Sequence, residues 1–274
     1  VEGSLGEPIP AGIAFLRGVP GEEEVRGSAL LVVSPGVPRE RLPLSALAAA
    51  GVPVWGELEL GFRRFQGKVA AITGTNGKST VTTLVGGMAS GAFPRVFVGG
   101  NLGTPFAAAA GSPCDWGVVE VSSFQLESIG RFRPRVAALL NLTEDHRDRY
   151  AAKEAYFDAK TAVFRNQGPT DTAVVNADDP EVTARLGSIR ARLLPFSVSR
   201  VLGEGAFLSG EDMVLRTASG EERYPRGILK IPGLQNVENA LAAIAVARSM
   251  EVPPPAVLAE LARFPGLPHR VEFV

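Results

Sequence analysis

A glycine-rich loop between an apolar run and a helix-forming segment constrains this chain more than any other feature. The loop reads "GTNGKST" (Gly74 to Thr80), and it directly follows the run "VAAIT" (Val69 to Thr73). Gly74 and Gly77 permit close approach of the backbone to a ligand. N–H groups at the start of the following helix face an anion, and the helix dipole favours that anion. The pattern predicts a strand, a phosphate-binding loop and a helix.

The loop departs from the strict pattern G-x-x-x-x-G-K-[ST], which places a glycine where this chain has Ile72. The chemistry does not depend on that glycine. Lys78 can reach the terminal phosphates of a nucleotide, and the Ser79 hydroxyl can bind a magnesium ion. The alternative is a glycine-rich turn with a capping hydroxyl, but the strand before the loop and the helix after it favour the nucleotide site.

The remaining sequence alternates apolar strands with helical patterns. Strands are predicted in "ALLVVSPGV", "DWGVVEVSSF", "VAALLNLT" and "TAVVNAD", and helices in "KEAYFDAKTAVFR" and "VENALAAIAVARSM". This alternation predicts an α/β fold: a P-loop domain whose mostly parallel sheet is covered by helices on both faces. Residues 196–230 are turn-rich and predict a small antiparallel insertion. The "SALAAAGVPVWG" segment predicts a short helix and a strand that belong to part of a preceding Rossmann-like domain.

Composition limits the class of protein. The chain has 274 residues, of which 45% are hydrophobic, so it can bury a sizeable core. A net charge of −1 predicts neither a nucleic-acid partner nor attraction to an anionic membrane. No apolar run approaches the roughly 20 residues needed to span a bilayer. A single cysteine, Cys114, excludes an internal disulfide, so we expect a cytoplasmic protein.

Polar residues follow several predicted strands. Glu120 ends the strand in "VVEVSSFQLE", where α/β sheets place ligand groups, and could share Mg²⁺ with Ser79. Alone, such a glutamate is more often a salt-bridge partner, and Ser122 and Ser123 would be no more than a turn. His146 lies among carboxylates in "NLTEDHRDRY" and could be a metal ligand or a histidine held by its neighbours.

Three other candidates are ambiguous when taken singly. Lys160 lies on an apolar-periodic helix, where a lysine normally extends to the surface. Asn236 and Asn239 are three residues apart at a predicted helix start, where one could be an N-cap or both could recognise a purine edge. Arg270, near the end of the chain, is available to a phosphate, a ribose or a carboxylate.

Taken together, these segments resemble the Mur ligase family. "ITGTNGKST", "VGGNLG", "EVSSFQLE", "NLTEDHRDRY", "YFDAK", "IPGLQNVENALAA" and "FPGLPHR" occur in the order and spacing typical of that family. The likeness runs from about Leu31 to Val274. Within the family, the "SSFQLE" and "TEDHRDRY" segments favour the members that join D-glutamate to UDP-N-acetylmuramoyl-L-alanine.

The resemblance implies an ATP-dependent ligase of peptidoglycan precursor synthesis. ATP would activate the alanyl carboxylate as an acyl phosphate, and the amine of D-glutamate would attack it. Two Mg²⁺ ions are implied, with Lys160 carbamylated by CO₂ so that it becomes an anionic ligand. This also explains how a lysine could lie beside Mg²⁺, which a bare ammonium would repel. We expect a cytoplasmic monomer with no nucleic-acid or membrane partner.

The resemblance also implies a role for each matching residue. Gly74, Thr75, Asn76, Gly77, Lys78, Ser79 and Thr80 would bind the ATP phosphates; Ser79 and Glu120 the first Mg²⁺; Glu120, His146 and Lys160 the second; Asn236 and Asn239 the adenine, with Arg270 near the nucleotide; Asn101, Ser122, Ser123 and His146 the muramoyl-alanine portion; and Ser34, Pro35 and Gly36 the UDP diphosphate. Lys78, Glu120, His146 and Lys160 would be the catalytic set.

The implied domains are an incomplete UDP-substrate domain at 1–56, an ATP-binding central domain at 57–268, and a linker at 269–274 that leads to a third domain. The family's glycine-rich turn at the start of the first domain has no counterpart in residues 1–30, and its third domain would follow Val274. We therefore expect the chain to be part of a longer protein, with little or no ligase activity by itself.

Two other functions are compatible with the same features. The nearest is another ligase of the superfamily, such as folylpolyglutamate synthase, whose loop tends to read G-K-G-S rather than "GKST". The other is a non-catalytic nucleotide-binding module, against which the full set of proposed metal ligands argues. A GTPase is disfavoured because the sequence has no N-K-x-D-like guanine-binding motif.

Overall fold

The computed structural model describes residues 18, 21–37, 41–145, 149–150 and 152–267. Its contacts divide the chain into two compact units, Val1–Trp55 and Gly56–Val274. The helices are α1 (Glu22–Arg26), α2 (Leu44–Ala49), α3 (Glu57–Arg64), α4 (Lys78–Ser90), α5 (Ser123–Leu126), α6 (Lys153–Thr161), α7 (Pro180–Thr183), α8 (Leu234–Ser249) and α9 (Pro254–Arg263). The strands are β1 (Leu31–Val33), β2 (Val54–Gly56), β3 (Gln66–Thr73), β4 (Val96–Gly100), β5 (Pro113–Glu120), β6 (Val136–Leu139), β7 (Thr172–Asn176), β8 (Arg192–Ser197), β9 (Gly205–Ser209), β10 (Asp212–Thr217) and β11 (Gly220–Pro225).

The first unit is small. Strands β1 and β2 form a two-stranded sheet, and helices α1 and α2 accompany it. Val25, Leu47 and Val52 form its buried cluster. The predicted strand, turn, helix and strand are therefore present, and the α/β character expected for this part of the chain is confirmed. The assignment of residues 1–56 to a UDP-substrate domain stays a prediction.

The second unit is built on a nine-stranded sheet in the order β11-β10-β9-β8-β7-β6-β3-β5-β4. Neighbouring strands from β4 across to β9 run parallel, whereas β9, β10 and β11 are antiparallel. The central strands are mostly apolar where they are buried, as expected for a sheet whose two faces are both covered, and the exceptions include Glu120 and Asn176 at the carboxyl ends of β5 and β7. The predicted mostly parallel sheet is confirmed.

Helices cover both faces of this sheet. Along β3 the side chains alternate between two cores, as the period of two in a strand requires. Ala70 and Ile72 pack in one core, which also contains residues of α4, α8 and α9. Val69 and Ala71 pack in the other, which contains residues of α3, α5 and α6. The sheet is therefore the middle layer of a three-layer α/β domain.

The small antiparallel insertion is also confirmed, and it continues the main sheet. Phe196 and Ser197 of β8 pair in parallel with Ala206 and Phe207 of β9, and β10 and β11 follow as antiparallel neighbours. Met213 of β10 is buried in the same core as α8.

The order of strands positions the site. Strand β3 lies between β5 and β6, so the chain crosses to one side of β3 and later returns to the other. Crevices at such a switch point, beyond the carboxyl ends of the strands, are where α/β sheets bind ligands. Ile72 pairs with Glu120, and Thr73 pairs with Leu139, so the ends of β3, β5 and β6 meet at one edge. Across the part of the chain that the structure describes, no helix combines the length and apolar character required to cross a bilayer.

Candidate nucleotide and metal site

The predicted phosphate loop follows β3 and opens α4. Gly74 and Gly77 have φ values of +152° and +82°, which side chains rarely adopt. A Cβ atom on Gly74 would lie 2.9 Å from Leu140 Cβ, and one on Gly77 would overlap Asn239 Oδ1. Both glycines are therefore required by backbone conformation and by close neighbours. Gly77 is the N-cap residue of α4, so the loop ends where the N-terminus of that helix begins.

Lys78 lies at the first position of α4, and its Nζ donates to the Thr75 carbonyl at 2.8 Å. The ammonium group therefore lies over its own loop. Ser79 follows and is half-buried, and Thr80 is buried. The Ser79 carbonyl accepts from Thr83 Oγ1 at 2.8 Å, one turn along the helix. A cation and a hydroxyl thus lie together at a helix N-terminus, which is an arrangement suited to phosphate and Mg²⁺.

Glu120 lies at the end of β5, with a side chain that is only 2% exposed. Its Oε1 accepts from Asn101 Nδ2 at 2.8 Å. Its Oε2 is buried and has no hydrogen-bond partner among the described residues. A buried carboxylate oxygen without a partner is costly unless a cation completes its coordination. The hard oxygen donors of Glu120 and Ser79 are those that Mg²⁺ prefers, so the residues present fit a magnesium ion.

Lys160, on α6, is buried rather than extended to the surface: it is only 2% exposed. Its Nζ donates to the Gly74 carbonyl at 2.8 Å and lies 4.7 Å from the centre of the Tyr156 ring. The pKa of Lys160 is lowered to about 7, mainly by burial and in smaller part by the nearby charge of Lys78. Asp145 and Glu120 oppose this shift only in part. The structure thus brings Lys160 to the phosphate loop.

Two predicted site residues, His146 and Arg270, lie outside the described residues. Glu144 and Asp145, which precede His146, are exposed. No group of three or more His, Cys, Asp and Glu side chains that could hold a metal is found within the ranges given above. The ligand set predicted for a second Mg²⁺ therefore stays a prediction.

The two predicted adenine ligands lie in the first two turns of α8. The Asn239 amide is next to Gly77, so it lies beside the phosphate loop. The Asn236 Nδ2 donates to the Pro232 carbonyl at 2.6 Å, which ties it to the segment that precedes the helix. The structure thus brings Asn239 to the loop, whereas the side chain of Asn236 stabilises the start of α8.

Residues predicted to contact the substrate have clear structural partners. Ser122 is the N-cap residue of α5 and forms a capping box with Gln125. Ser123 is buried, and Asn101 is bound to Glu120 as described. In the first unit, Ser34, Pro35 and Gly36 form the turn after β1, which the Val37 N–H closes by donating to the Ser34 carbonyl at 3.0 Å. Their roles toward a substrate stay predictions.

Sequence reasoning missed several residues that shape the site. Asn141 and Thr143, after β6, form hydrogen bonds with Thr75 and Asn76 of the loop. Asn176, at the end of β7, donates to the Leu140 carbonyl at 2.8 Å and to Glu238 Oε1 at 2.6 Å. Their position at strand ends was the available signal, because polar side chains there lie at the ligand-binding edge.

Glu238 lies on α8 beside Asn239. Burial raises its pKa, and the charges of Asp178 and Asp179 raise it further, whereas the hydrogen bond from Asn176 opposes the shift. Because Asn176 also donates to the Leu140 carbonyl, it links Glu238 of α8 to the segment that follows β6.

The chain matches the family model described as "Mur ligase middle domain" over residues 72–247. It is 45% identical over 255 residues to the UDP-N-acetylmuramoylalanine–D-glutamate ligase of Geobacter metallireducens, covering 92% of this chain and 56% of that protein. The enzyme with the same name from Pelotomaculum thermopropionicum is 42% identical over 279 residues, covering 100% of this chain and 61% of the relative. The chain thus spans little more than half the length of these relatives.

Solved structures support the fold. A UDP-N-acetylmuramoyl-L-alanyl-D-glutamate–2,6-diaminopimelate ligase matches with a TM-score of 0.63 at 20% identity, covering 91% of this chain and 62% of that chain. MurF from Acinetobacter baumannii matches with a TM-score of 0.63 at 19% identity, covering 93% of this chain and 64% of that chain. At these identities the likeness concerns the architecture alone.

Proposed function

The chain belongs to the Mur ligase family, and from this premise we propose that it forms the nucleotide-binding core of an ATP-dependent ligase that joins D-glutamate to UDP-N-acetylmuramoyl-L-alanine. The observation that carries the proposal is the meeting of three groups at one sheet edge: the loop with Lys78, the incompletely bonded Glu120 carboxylate, and buried Lys160. The printed names of the relatives support this choice of substrates.

The reaction would occur in two steps. An oxygen of the alanyl carboxylate would attack the terminal phosphorus of ATP, so that an O–P bond forms and ADP leaves. The amine of D-glutamate would then attack the acyl carbon, phosphate would leave, and the amine would lose a proton as the amide forms. A carboxylate is a poor acyl donor until it carries a good leaving group, which is why the nucleotide is needed.

The residues of this chain would neutralise and orient the phosphates. Lys78 and the N-terminus of α4 would stabilise the charge on the transferred group, and Gly74 and Gly77 would let the backbone approach it. Ser79 and Glu120 would hold Mg²⁺, which when bound neutralises phosphate charge. Asn239, beside the loop, would contact the adenine together with Asn236.

Lys160 would act as a carbamate. The pKa of Lys160, about 7, leaves a large share of its side chain as the neutral amine at neutral pH, and only the neutral amine can attack CO₂. Carbamylation would convert a buried cation beside the loop into an anion and provide a second Mg²⁺ site with Glu120 and His146. We expect a cytoplasmic monomer that binds neither nucleic acid nor membrane.

The test is a ligation assay with a full-length protein that carries this chain. ATP, Mg²⁺ and radiolabelled D-glutamate are supplied with UDP-N-acetylmuramoyl-L-alanine in one reaction and with a folate in a parallel one. The proposal predicts label in the muramoyl product and release of ADP only in the first reaction. Label in the folate product would favour the folylpolyglutamate synthase alternative, and nucleotide binding without product would favour a non-catalytic module.

A further inference from the structure

Asn141 makes three hydrogen bonds to the phosphate loop. Its carbonyl oxygen accepts from the Thr75 N–H at 3.0 Å. Its side-chain Oδ1 accepts from the Asn76 N–H at 2.8 Å, and its Nδ2 donates to the Asn76 carbonyl at 3.2 Å. The side-chain amide therefore pairs with Asn76 as a neighbouring peptide group in a β-ladder would.

Thr143 adds a second pair of contacts to the same part of the loop. Thr75 Oγ1 donates to the Thr143 carbonyl at 3.1 Å and accepts from the Thr143 N–H at 3.1 Å. Thr75 and Asn76 are thereby bound on one side to the segment that follows β6.

These bonds divide the loop into two parts. The N–H groups of Thr75 and Asn76 are used by Asn141, so they face the protein. In an α-helix, the N–H groups of the first turn have no carbonyl acceptor inside the helix. In α4 that turn begins at Lys78, immediately after the part of the loop that Asn141 holds. The bonds from Asn141 therefore hold the loop at Thr75 and Asn76, and the first turn of α4 is the part of the loop where an anion would bind.

Asn141 is itself held in place. The Leu140 N–H donates to the Thr73 carbonyl at 3.0 Å, and the Leu140 carbonyl accepts from Asn176. The backbone before Asn141 is therefore fixed between β3 and β7. The Asn141 amide accepts from the N–H of Asn76 and donates to its carbonyl, whereas an aspartate would lack the donor and an alanine would lack both groups.

We propose that Asn141 is the positioning residue of the phosphate loop, which it holds in the anion-binding conformation before the nucleotide arrives. The inference deepens the proposed nucleotide site and rests on it. A ligand that finds its loop already ordered does not lose affinity to the ordering step. Asn141 thus contributes to phosphate affinity without touching the phosphate.

The chain offers a matched control in Asn166, whose Nδ2 donates to the Gly130 and Phe132 carbonyls at 3.0 and 2.9 Å. Asn141→Ala and Asn166→Ala each remove an amide that bonds the backbone, but only the first is at the loop. The readouts are thermal midpoint, amide hydrogen exchange at Thr75 and Asn76 without nucleotide, and calorimetric affinity for a non-hydrolysable ATP analogue with Mg²⁺ and for inorganic tripolyphosphate.

We expect Asn141→Ala to lower the affinity for both ligands about tenfold, which corresponds to about 1.4 kcal/mol of binding free energy. Without the side-chain hydrogen bonds, the loop must be ordered when the ligand binds. Exchange at Thr75 and Asn76 should accelerate. Asn166→Ala should lower the thermal midpoint about as much as Asn141→Ala does. It should leave the affinities for both ligands and the exchange rates of the Thr75 and Asn76 amides unchanged. Asn141→Asp should keep partial protection of the Asn76 amide, since Oδ1 still accepts its hydrogen bond. It should nevertheless lower the affinity for both anionic ligands.

Unchanged exchange at Thr75 and Asn76 in Asn141→Ala would overturn the proposal, as would a loss of affinity in Asn166→Ala as large as in Asn141→Ala. If the wild-type chain bound neither ligand, the proposed nucleotide site would fail. The exchange data on the unliganded protein would still decide whether Asn141 orders the loop, so the two failures are distinguishable.

Discussion

Asn101 Nδ2 donates to Glu120 Oε1 at 2.8 Å, while the other carboxylate oxygen of Glu120 is buried without a hydrogen-bond partner among the described residues. Asn101 follows β4, and Glu120 ends β5, the strand that pairs with it. One oxygen is fixed by an amide and the other remains for a ligand. Both residues lie at the carboxyl ends of β4 and β5, at the edge of the sheet where the phosphate loop follows β3.

Glu120→Gln should remove most of the Mg²⁺ dependence of nucleotide binding. The amide that replaces the carboxylate carries no charge and presents a donor where the metal needs an acceptor. Titration of an ATP analogue with and without Mg²⁺ measures the effect, which should be at least about tenfold for a charged ligand of this kind. Glu260→Gln is the control, because Glu260 is also buried but is paired with Arg263 on α9. An equal response of both variants to Mg²⁺ would contradict a metal role for Glu120.

Gly77→Ala should abolish nucleotide binding and destabilise the protein. Gly77 has φ +82°, and an added Cβ would overlap the amide of Asn239. Gly103→Ala is the matched control, because Gly103 has φ +63° but no atom within 4 Å of an added Cβ. The control should cost about 1 kcal/mol of unfolding free energy from backbone strain alone and keep affinity. Chemical denaturation and calorimetry measure the two effects, and equal costs would mean that Asn239 does not constrain the loop.

Glu59→Gln should destabilise the second unit by about 1–3 kcal/mol at neutral pH, because a charged acceptor is lost. The buried Glu59 carboxylate accepts from the N–H groups of Gly130, Arg131 and Phe132 at 2.8–2.9 Å and from Arg63 Nε at 2.6 Å. Burial alone would raise the pKa of Glu59, but these hydrogen bonds outweigh burial and lower it.

The sign of the pH dependence follows from that lowered pKa. The folded state holds the Glu59 proton less tightly than the unfolded state does. The contribution of the Glu59 carboxylate to the free energy of unfolding is therefore complete above the unfolded pKa of about 4.3. It is lost as pH falls from there through the folded pKa. Denaturant titrations should show the gap between wild type and Glu59→Gln shrinking over that window. Glu211→Gln is the control, because the side chain of Glu211 is 78% exposed. Its free energy of unfolding should stay within about 0.5 kcal/mol of wild type over the same pH range.

Lys160 should form a carbamate, whereas Lys153 on the same helix should not. Burial is the main reason that the pKa of Lys160 is lowered to about 7, whereas the hydrogen bond and charge of Glu181 raise the pKa of Lys153 and keep it protonated. Carbon-13 spectra in labelled bicarbonate should show a carbamate signal in wild type and in Lys153→Gln, and none in Lys160→Gln. A signal that survives Lys160→Gln would refute the assignment.

The parts of the fold that depend on local pattern could be predicted from the sequence. The apolar runs at β3, β5, β6 and β7 are buried on both faces, so their composition alone indicates a covered parallel sheet. The loop was predictable because glycine, lysine and hydroxyl residues have few other reasons to occur in that order between a strand and a helix.

The rest of the site depends on which strands are neighbours. The helical pattern around Lys160 predicts a surface lysine, yet the side chain is buried and donates to the Gly74 carbonyl of the loop, 86 residues away in sequence. The sequence indicates that Asn141 and Asn176 follow or end predicted strands, but their bonding partners are 65 and 36 residues away, so no local pattern reveals the pairings. Such pairings follow from the strand order, which the sequence does not state.

The most direct measurement of the central claim is calorimetric titration of the chain with a non-hydrolysable ATP analogue and Mg²⁺, repeated with Lys78→Ala and with Lys68→Ala. Lys68 is an exposed lysine on β3, next to the Trp116 ring and before the loop. We expect wild type and Lys68→Ala to bind the analogue and Lys78→Ala to lose at least about tenfold in affinity, because the substitution removes the cation proposed to contact the phosphates. Equal affinities in all three proteins would contradict a phosphate-binding role for the loop.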